Sequence, residues 1–266
     1  MTGSGAALAA GRGPLRFARY AYPPNALGYC GPPSPATLLE ASAGAPDLGL
    51  LRRLAVGFDG AYPYLRLIAA CNRLDDPLDD RVVEAYWVGN PLLGRVPKAV
   101  LANSLDDRFA RRAGGRFAAI AEVALAHGGL AHHSFHVFAV YPWVGLLRAG
   151  HDGPALTVLD RCRIRTGVVR AVDGDLALVR SRPLAFDGRR LHLGPPADET
   201  ARWSPAGAPR DGGIAPGDDV SLHWDWICER LTPTARSRLD RVTQVNLDAV
   251  NASARPGPAA ALERYG

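Results

Sequence analysis

The spacing of apolar residues changes character near the middle of the chain. Residues 34–149 follow a helical period and residues 157–224 a period of two, so a helical half is predicted to precede a strand-rich half. The first helix is expected at Ser34-Pro35, a capping residue followed by a proline in the first turn, with Leu38 and Leu39 on its apolar face. A longer periodic stretch from Leu48 to Asn72 turns Leu50, Leu51, Leu54, Phe58, Leu65, Ile68 and Ala69 inward. Pro63 should break it into two helices or kink it. Asp79 to Val88 forms the next helix, capped by Asp79 or Asp80 and stopped at Asn90-Pro91. Lys98–Arg112 and Arg116–His127 read as two more, parted by Gly114-Gly115. A last segment, residues 132–147, is interrupted at Pro142.

After a Gly/Pro-containing link at 149–156, strands are expected at Thr157–Leu159, Gly167–Val172 and Leu176–Arg180. The tight turn Asp173-Gly174-Asp175 joins the last two. Another strand is placed at Arg189–Leu193, a Pro/Gly-rich insertion at 194–213, a turn at Pro216-Gly217-Asp218 and a strand at Asp219–Trp224. A terminal helix runs from about Thr234 to Val250 behind Thr232-Pro233. Short strands joined by tight turns indicate a small antiparallel barrel. The chain is therefore an α+β protein: an all-helical domain at 14–150, then an OB-like barrel with its terminal helix at 157–251.

Composition narrows the class. In 266 residues with 47% hydrophobic and 21% charged side chains there is material for one large core or two modest ones. No apolar run reaches the ~18 residues of a membrane span. The small, flexible opening MTGSGAALAAGRG lacks the apolar stretch of a secretory signal, so a cytoplasmic protein is expected. The net charge of +5 is almost all arginine, with Lys98 the one lysine, and the arginines are scattered rather than striped. Nucleic-acid binding is disfavoured on that pattern.

The candidate chemistry lies in cysteine and histidine. Cys30, Cys71, Cys162 and Cys228 form no CxxC pair, which argues against a zinc knuckle or a dithiol redox site. Cys228, within Trp224-Asp225-Trp226-Ile227-Cys228, reads as a buried structural thiol. Cys30 sits in Gly28-Tyr29-Cys30-Gly31-Pro32, a loop whose flanking glycines permit close approach of a ligand or another backbone. His132, His133 and His136 have helical spacing, and the i, i+4 pair His132/His136 suits a shared metal or a partner contact. The acidic pairs Asp75-Asp76, Asp79-Asp80 and Asp106-Asp107 fall at helix starts and turns, where carboxylates cap. Phosphate-loop and Ser-His-Asp motifs are absent, so no catalytic apparatus is visible.

Two segments carry a family resemblance. Cys162-Arg163-Ile164-Arg165-Thr166-Gly167-Val168-Val169 resembles the opening of HypC/HupF proteins, in which a cysteine precedes by five residues the glycine of the first barrel strand. Pro216-Gly217-Asp218-Asp219-Val220-Ser221-Leu222-His223 resembles the family's Gly-Asp-Tyr-Val-x-x-His strand, and Ile227, Arg230 and Leu231 its crossover. The likeness covers about a third of the chain. It departs from the family in the internal position of the cysteine, in Arg165-Thr166 for Ile-Pro, and in the 194–213 insertion. The resemblance implies a cytoplasmic accessory chaperone of [NiFe]-hydrogenase maturation. Its partners would be a HypD-like protein and the large-subunit precursor, and Cys162 and His223 would serve a transiently held Fe(CN)2CO group. A thiolate is a fitting donor to such iron. Arg161, Arg163 and Arg165, on the face opposite Cys162 in an extended chain, would lower its thiol modestly. The N-terminal half resembles an uncharacterised bacterial domain family over Phe17–Asn25, Leu27–Pro32 and His132–His136. Two other readings remain open. One is a metal- or ligand-dependent enzyme centred on Cys30, His132, His133 and His136. The other is a nucleic-acid-binding barrel using Trp203, Trp224 and Trp226 as stacking platforms.

Overall fold

The computed structural model describes residues 3–43, 47–113, 117–204 and 213–253. The helical half comprises α1 (Gly3–Ala26), α2 (Pro35–Ala43), α3 (Leu48–Val56), α4 (Tyr62–Cys71), α5 (Asp80–Trp87), a 3-10 turn (Pro91–Arg95), α6 (Lys98–Ala113), α7 (Phe117–Ala126) and α8 (His133–Phe135). The chain continues through a π-helical turn (His136–Val140), α9 (Trp143–Arg148) and α10 (Asp152–Cys162). The periodic stretch is broken as expected: α3 stops at Gly57, and α4 restarts with Pro63 in its first turn, where no amide donor is needed. Asp79 caps α5 by accepting from the Arg81 amide. The Gly114-Gly115 separator lies outside the described residues.

Two helices depart from expectation. The opening residues are not a loose tail, because α1 begins at Gly3. Phe17, Ala18, Tyr20 and Ala21 form its buried face, the i, i+1, i+3, i+4 pattern of a helix laid on a core. The Thr157–Leu159 strand does not exist. Those residues belong to α10, whose buried Ala155, Val158, Leu159 and Cys162 repeat at helical spacing, with Pro154 in the first turn. β-branched Thr157 and Val158 suggested a strand, and tertiary burial overrode that local preference.

The second half contains β1 (Arg165–Asp173), β2 (Leu176–Ser181), β3 (Leu184–Phe186), β4 (Leu191–Leu193), β5 (Ala197–Arg202), β6 (Asp219–His223), β7 (Trp226–Arg230) and α11 (Pro233–Ala252), which is capped by Thr232. A closed barrel runs β1-β2-β5-β7-β6 and back to β1. Its pairs are antiparallel except the short parallel closure Arg202↔Trp226. The fold is thus α+β, with helices first and a five-stranded OB-like barrel after them. Three strand expectations change. The 189–193 strand pairs with β3 as a separate ribbon outside the barrel. The 194–213 insertion supplies the barrel strand β5, its residues 205–212 lying outside those described. The 226–230 patch is strand β7 rather than a crossover.

The barrel is filled by Val169, Ala177, Val179, Ala201, Val220, Leu222 and Ile227. Gly167 is obligatory on β1, because a Cβ there would run into Val179 and Leu222. The main core does not stop at the 149–156 link. One apolar cluster joins Phe17, Tyr20 and Trp87 of the helices to Ile164, Cys228, Leu231, Leu239 and Val242 of the second half. Arg16, held by Asp80 (2.8 Å) within the helical half, adds an ion pair to Glu229 (3.1 Å) across the same seam. Asn246 of α11 accepts from the Leu130 amide (2.9 Å) and donates to Ser134 Oγ (2.8 Å), which fixes the start of α8 against the barrel's own helix. Among the described residues no helix is long and apolar enough to cross a membrane.

Candidate metal centre

Three chain reversals meet at the seam. Cys162 is the last residue of α10, His223 the last of β6, and His133 the first of α8. Their ligand atoms all lie within 4.8 Å of one another, and all three residues are buried. Cys162 was expected at a strand start and stands instead at a helix end. The chain leaves that end through Arg163 in extended conformation. Trp224 takes a left-handed φ of 55°, and its amide donates to the Arg161 carbonyl at 2.7 Å, tying the end of β6 to the end of α10.

Arg165 secures this junction. Its guanidinium donates to the Asp160 (3.0 Å), Arg161 (3.1 Å) and Trp224 carbonyls and to the Glu199 carboxylate. It thereby satisfies the open carbonyls at the end of α10 with a cation, which the helix dipole favours there. Glu199 also receives Arg161 (2.6 Å) and Ser181, and these bonds hold its carboxyl below the ordinary range against the opposing effect of burial. Arg163 is likewise buried and committed, to Asp160 and to the Arg182 carbonyl.

The imidazoles are held differently. His223 Nδ1–H donates to the Tyr20 carbonyl at 2.6 Å, so in the neutral ring Nε2 carries the lone pair, and it makes no hydrogen bond of regular geometry although the Cys162 carbonyl is near. Burial, the nearby His133 and Arg165 push His223 well below the usual histidine range, with the Tyr20 and Cys162 carbonyls acting in opposition, so the ring is neutral. His133 Nε2 lies 2.9 Å from the Cys162 carbonyl and 3.9 Å from its sulfur. Its Nδ1 is 3.1 Å from the Tyr86 hydroxyl, which also reaches the Gly60 carbonyl at 3.3 Å. The Cys162 carbonyl only accepts, so Nε2–H donates to it and Nδ1 accepts from Tyr86. Ligation through Nε2 requires its proton to move to Nδ1, with Tyr86 turned to donate to Gly60 and the bond to the Cys162 carbonyl given up. Burial lowers His133 to about 4, the Cys162 carbonyl acting against the shift.

The expectation that neighbouring arginines lower the Cys162 thiol is overturned. Burial raises it far above the ordinary range, and the nearby Cys30 adds to the rise. Trp224 and Arg165 oppose it without offsetting it. The physical reason is that Arg161, Arg163 and Arg165 spend their charge on Glu199 and Asp160. The Trp224 indole N–H faces the sulfur without forming a regular hydrogen bond. Trp87 walls the site, its ring 4.6 Å from that of His133 and 5.6 Å from that of His223. One thiol and two imidazoles, with a second-sphere carbonyl orienting one ring, make a donor set for a soft or borderline transition metal. The unpaired Nε2 of His223 is the observation that fits it.

Of the residues singled out from sequence, Cys162, His223 and His133 come together, and Cys30 lies near enough to influence Cys162. His132 and His136 do not share a metal face. His132 has extended backbone and caps α8, accepting from the Ser134 amide (3.0 Å) while Nε2–H donates to the Trp87 carbonyl (3.1 Å). His136 points instead to the Tyr64 hydroxyl (3.3 Å) and the Tyr141 ring. The expected i, i+4 metal pairing of His132 and His136 is therefore not formed. Cys228 is a buried core thiol. The three tryptophans are held differently: Trp224 is stacked on Tyr29 (4.6 Å), Trp226 meets Tyr22 edge-on (5.1 Å), and Trp203 Nε1–H donates to the Gly174 carbonyl. Sequence reasoning did not select Tyr20, Tyr86 or Trp87 as site residues. They carry no local motif, and only their burial beside the three donors marks them.

Fold and site define an α+β protein in which an OB-like barrel and a helical half jointly enclose a cluster of one cysteine and two histidines. The chain belongs to a family of unknown function (DUF6390), which matches residues 9–256 and so covers both halves. No curated protein and no solved structure matches the chain.

Proposed function

We propose that this protein binds a transition-metal centre through His133, Cys162 and His223, and that it does so as an accessory scaffold in [NiFe]-hydrogenase maturation. The carrying observation is the buried, unpartnered Nε2 of His223 within 4.8 Å of a thiol and a second imidazole. Burying a polar atom without a partner costs about 1–3 kcal/mol, which a bound metal would offset.

The assignment to hydrogenase maturation rests on the HypC/HupF resemblance, whose two functional positions are Cys162 and His223. In that reading the cargo is iron bearing cyanide and carbonyl, carried in the cytoplasm together with a HypD-like partner to the large-subunit precursor. Metal binding must displace the thiol proton, which burial otherwise retains, so the apo site favours the neutral protein and the ion favours the thiolate.

The test is metal analysis and co-purification of the full chain. Iron retained by the wild type and lost in both Cys162→Ala and His223→Ala supports the reading, as does recovery of a HypD-like protein and the large-subunit precursor. Absence of metal under reducing, iron-replete conditions, together with failure to recover either partner where a HypC protein recovers both, would sink it.

A further inference from the structure

The cluster offers three donors, and a tetrahedral divalent ion takes four. The loop Gly28–Pro32 lies over this side of the protein. Tyr29 stacks on Trp224 at 4.6 Å, and Trp224 is bonded through its amide to Arg161, the neighbour of Cys162. Asn25 Nδ2 donates to the Cys30 and Pro32 carbonyls, each at 2.7 Å, and so shapes the loop from the end of α1. Cys30 packs against the main core, although as a residue it is only half-buried.

We infer that Cys30 is the fourth ligand of this centre, its thiolate closing a site of two cysteines and two histidines around a divalent ion of the zinc or iron(II) type. The inference rests on the metal-binding reading above and deepens it. Two observations meet here. One is the unpartnered Nε2 of His223, which calls for an electrophile in the cluster. The other is the seating of the Cys30 loop, through the Tyr29–Trp224 stack, on the residue that follows His223, which sets a second thiol on the side of the protein where β6 and α10 end. Burial alone raises the Cys30 thiol to about 12, so no neighbouring cation in the protein prepares it as a thiolate.

Cys30 is outside the set of mutually close ligand atoms, so closure moves the loop rather than the three fixed donors. Gly28 (φ 75°) and Gly31 (φ 82°) flank it in left-handed backbone, and Gly28 has open space around it. Tyr29 is half-exposed with its ring on Trp224, so a movement of the loop breaks or shifts that one stack. On closure two S–H bonds break, two metal–sulfur bonds form, two protons leave to solvent and the ion sheds water. Lifted, the loop leaves the three-donor side open to an iron group that brings its own ligands.

The full chain is loaded with Zn2+ or Co2+ under reducing conditions. X-ray absorption of the zinc form should count two sulfur ligands at about 2.3 Å. Sulfur-to-cobalt charge-transfer absorption should fall to about half in Cys30→Ser. One sulfur per zinc in the wild type, or a cobalt spectrum unchanged in Cys30→Ser, overturns the inference while leaving the three-donor reading intact. Failure of the wild type to bind either ion overturns both. If Cys30→Ser does not fold, the sulfur count of the wild type decides alone.

Discussion

His223 donates its Nδ1–H to the carbonyl of Tyr20 at 2.6 Å, so a residue of the first helix sets the tautomer of a histidine on the sixth strand. The barrel alone would leave that ring free to rotate. In the whole protein α1 supplies the outer partner, and the lone pair is aimed inward at Cys162 and His133. This is the arrangement in which a backbone carbonyl orients a metal-ligating imidazole. It also explains why a core cluster crosses the link at 149–156.

The Tyr20 hydroxyl bridges Ser221 Oγ and Glu229 Oε1, both at 2.7 Å, while its ring stacks on Trp87 at 5.3 Å. Tyr20→Phe keeps the ring and the carbonyl that holds His223 but removes two hydrogen bonds, leaving Glu229 with Arg16 and Ser221 with the long bond to the Glu229 carbonyl. A loss of about 2 kcal/mol is expected in urea unfolding, with metal binding retained.

Glu199 faces the buried Arg165 and also takes Arg161 and Ser181. Arg165 is 1% exposed, so removing its carboxylate leaves a charge with no route to water. Glu199→Ala is expected to cost about 3–5 kcal/mol, far more than loss of the half-exposed Arg180–Asp198 pair, at about 0–1 kcal/mol. Denaturant midpoints of Glu199→Ala and Asp198→Ala compare the two directly.

His132 and His133 are buried as neutral rings, lowered to about 3 and about 4, mainly by desolvation. The unfolded chain binds protons at these positions from about pH 6.5 downward, and the folded chain does not. Their contribution is therefore complete above pH 6.5 and is lost as pH falls through the window from 6.5 to about 4, continuing to about 3 for His132. Each ring removes up to about 1.4 kcal/mol per pH unit. Melting temperature measured between pH 7.5 and 4.5 should drop steeply below 6.5, and a flat profile would contradict the buried neutral state.

Histidines of the same sequence cluster should separate by role. His133→Ala is expected to abolish most metal binding, whereas His136→Ala, which loses contacts to Tyr64 and Tyr141, should lower stability and leave metal stoichiometry unchanged. Metal content of the two purified variants beside their melting temperatures checks this. Metal lost in both to the same degree would point back to a centre on the His132–His136 segment.

Gly31 holds φ at 82°, and a Cβ there would strike the Phe58 ring. Gly31→Ala should destabilise by about 1–3 kcal/mol and disturb the Cys30 loop. A weaker metal affinity in this variant than in Gly28→Ala, whose position is left-handed but open, would report the steric component.

Much of this protein was legible along the chain because short-range rules governed it. Helix caps at Asp79 and Thr232, the break before Pro63 and the Gly174 hairpin are local choices that the surrounding fold did not override. The HypC/HupF resemblance singled out Cys162 and His223, two of the three residues that the fold brings together. Only the tertiary structure supplied the rest, because its causes are non-local. Strand β5, Ala-Asp-Glu-Thr-Ala-Arg, shows no apolar alternation, since an inward position is filled by Glu199 to meet Arg165 rather than by a hydrophobic side chain. Helix α10 hides behind β-branched residues until its buried face is seen. His133 was separated from its equally promising neighbours His132 and His136 by where the chain turns, a matter of one backbone dihedral at the helix cap. The sequence by itself determined which side chains carry usable chemistry. The packing of α1 against the barrel decided which of them meet, and burial decided their charge.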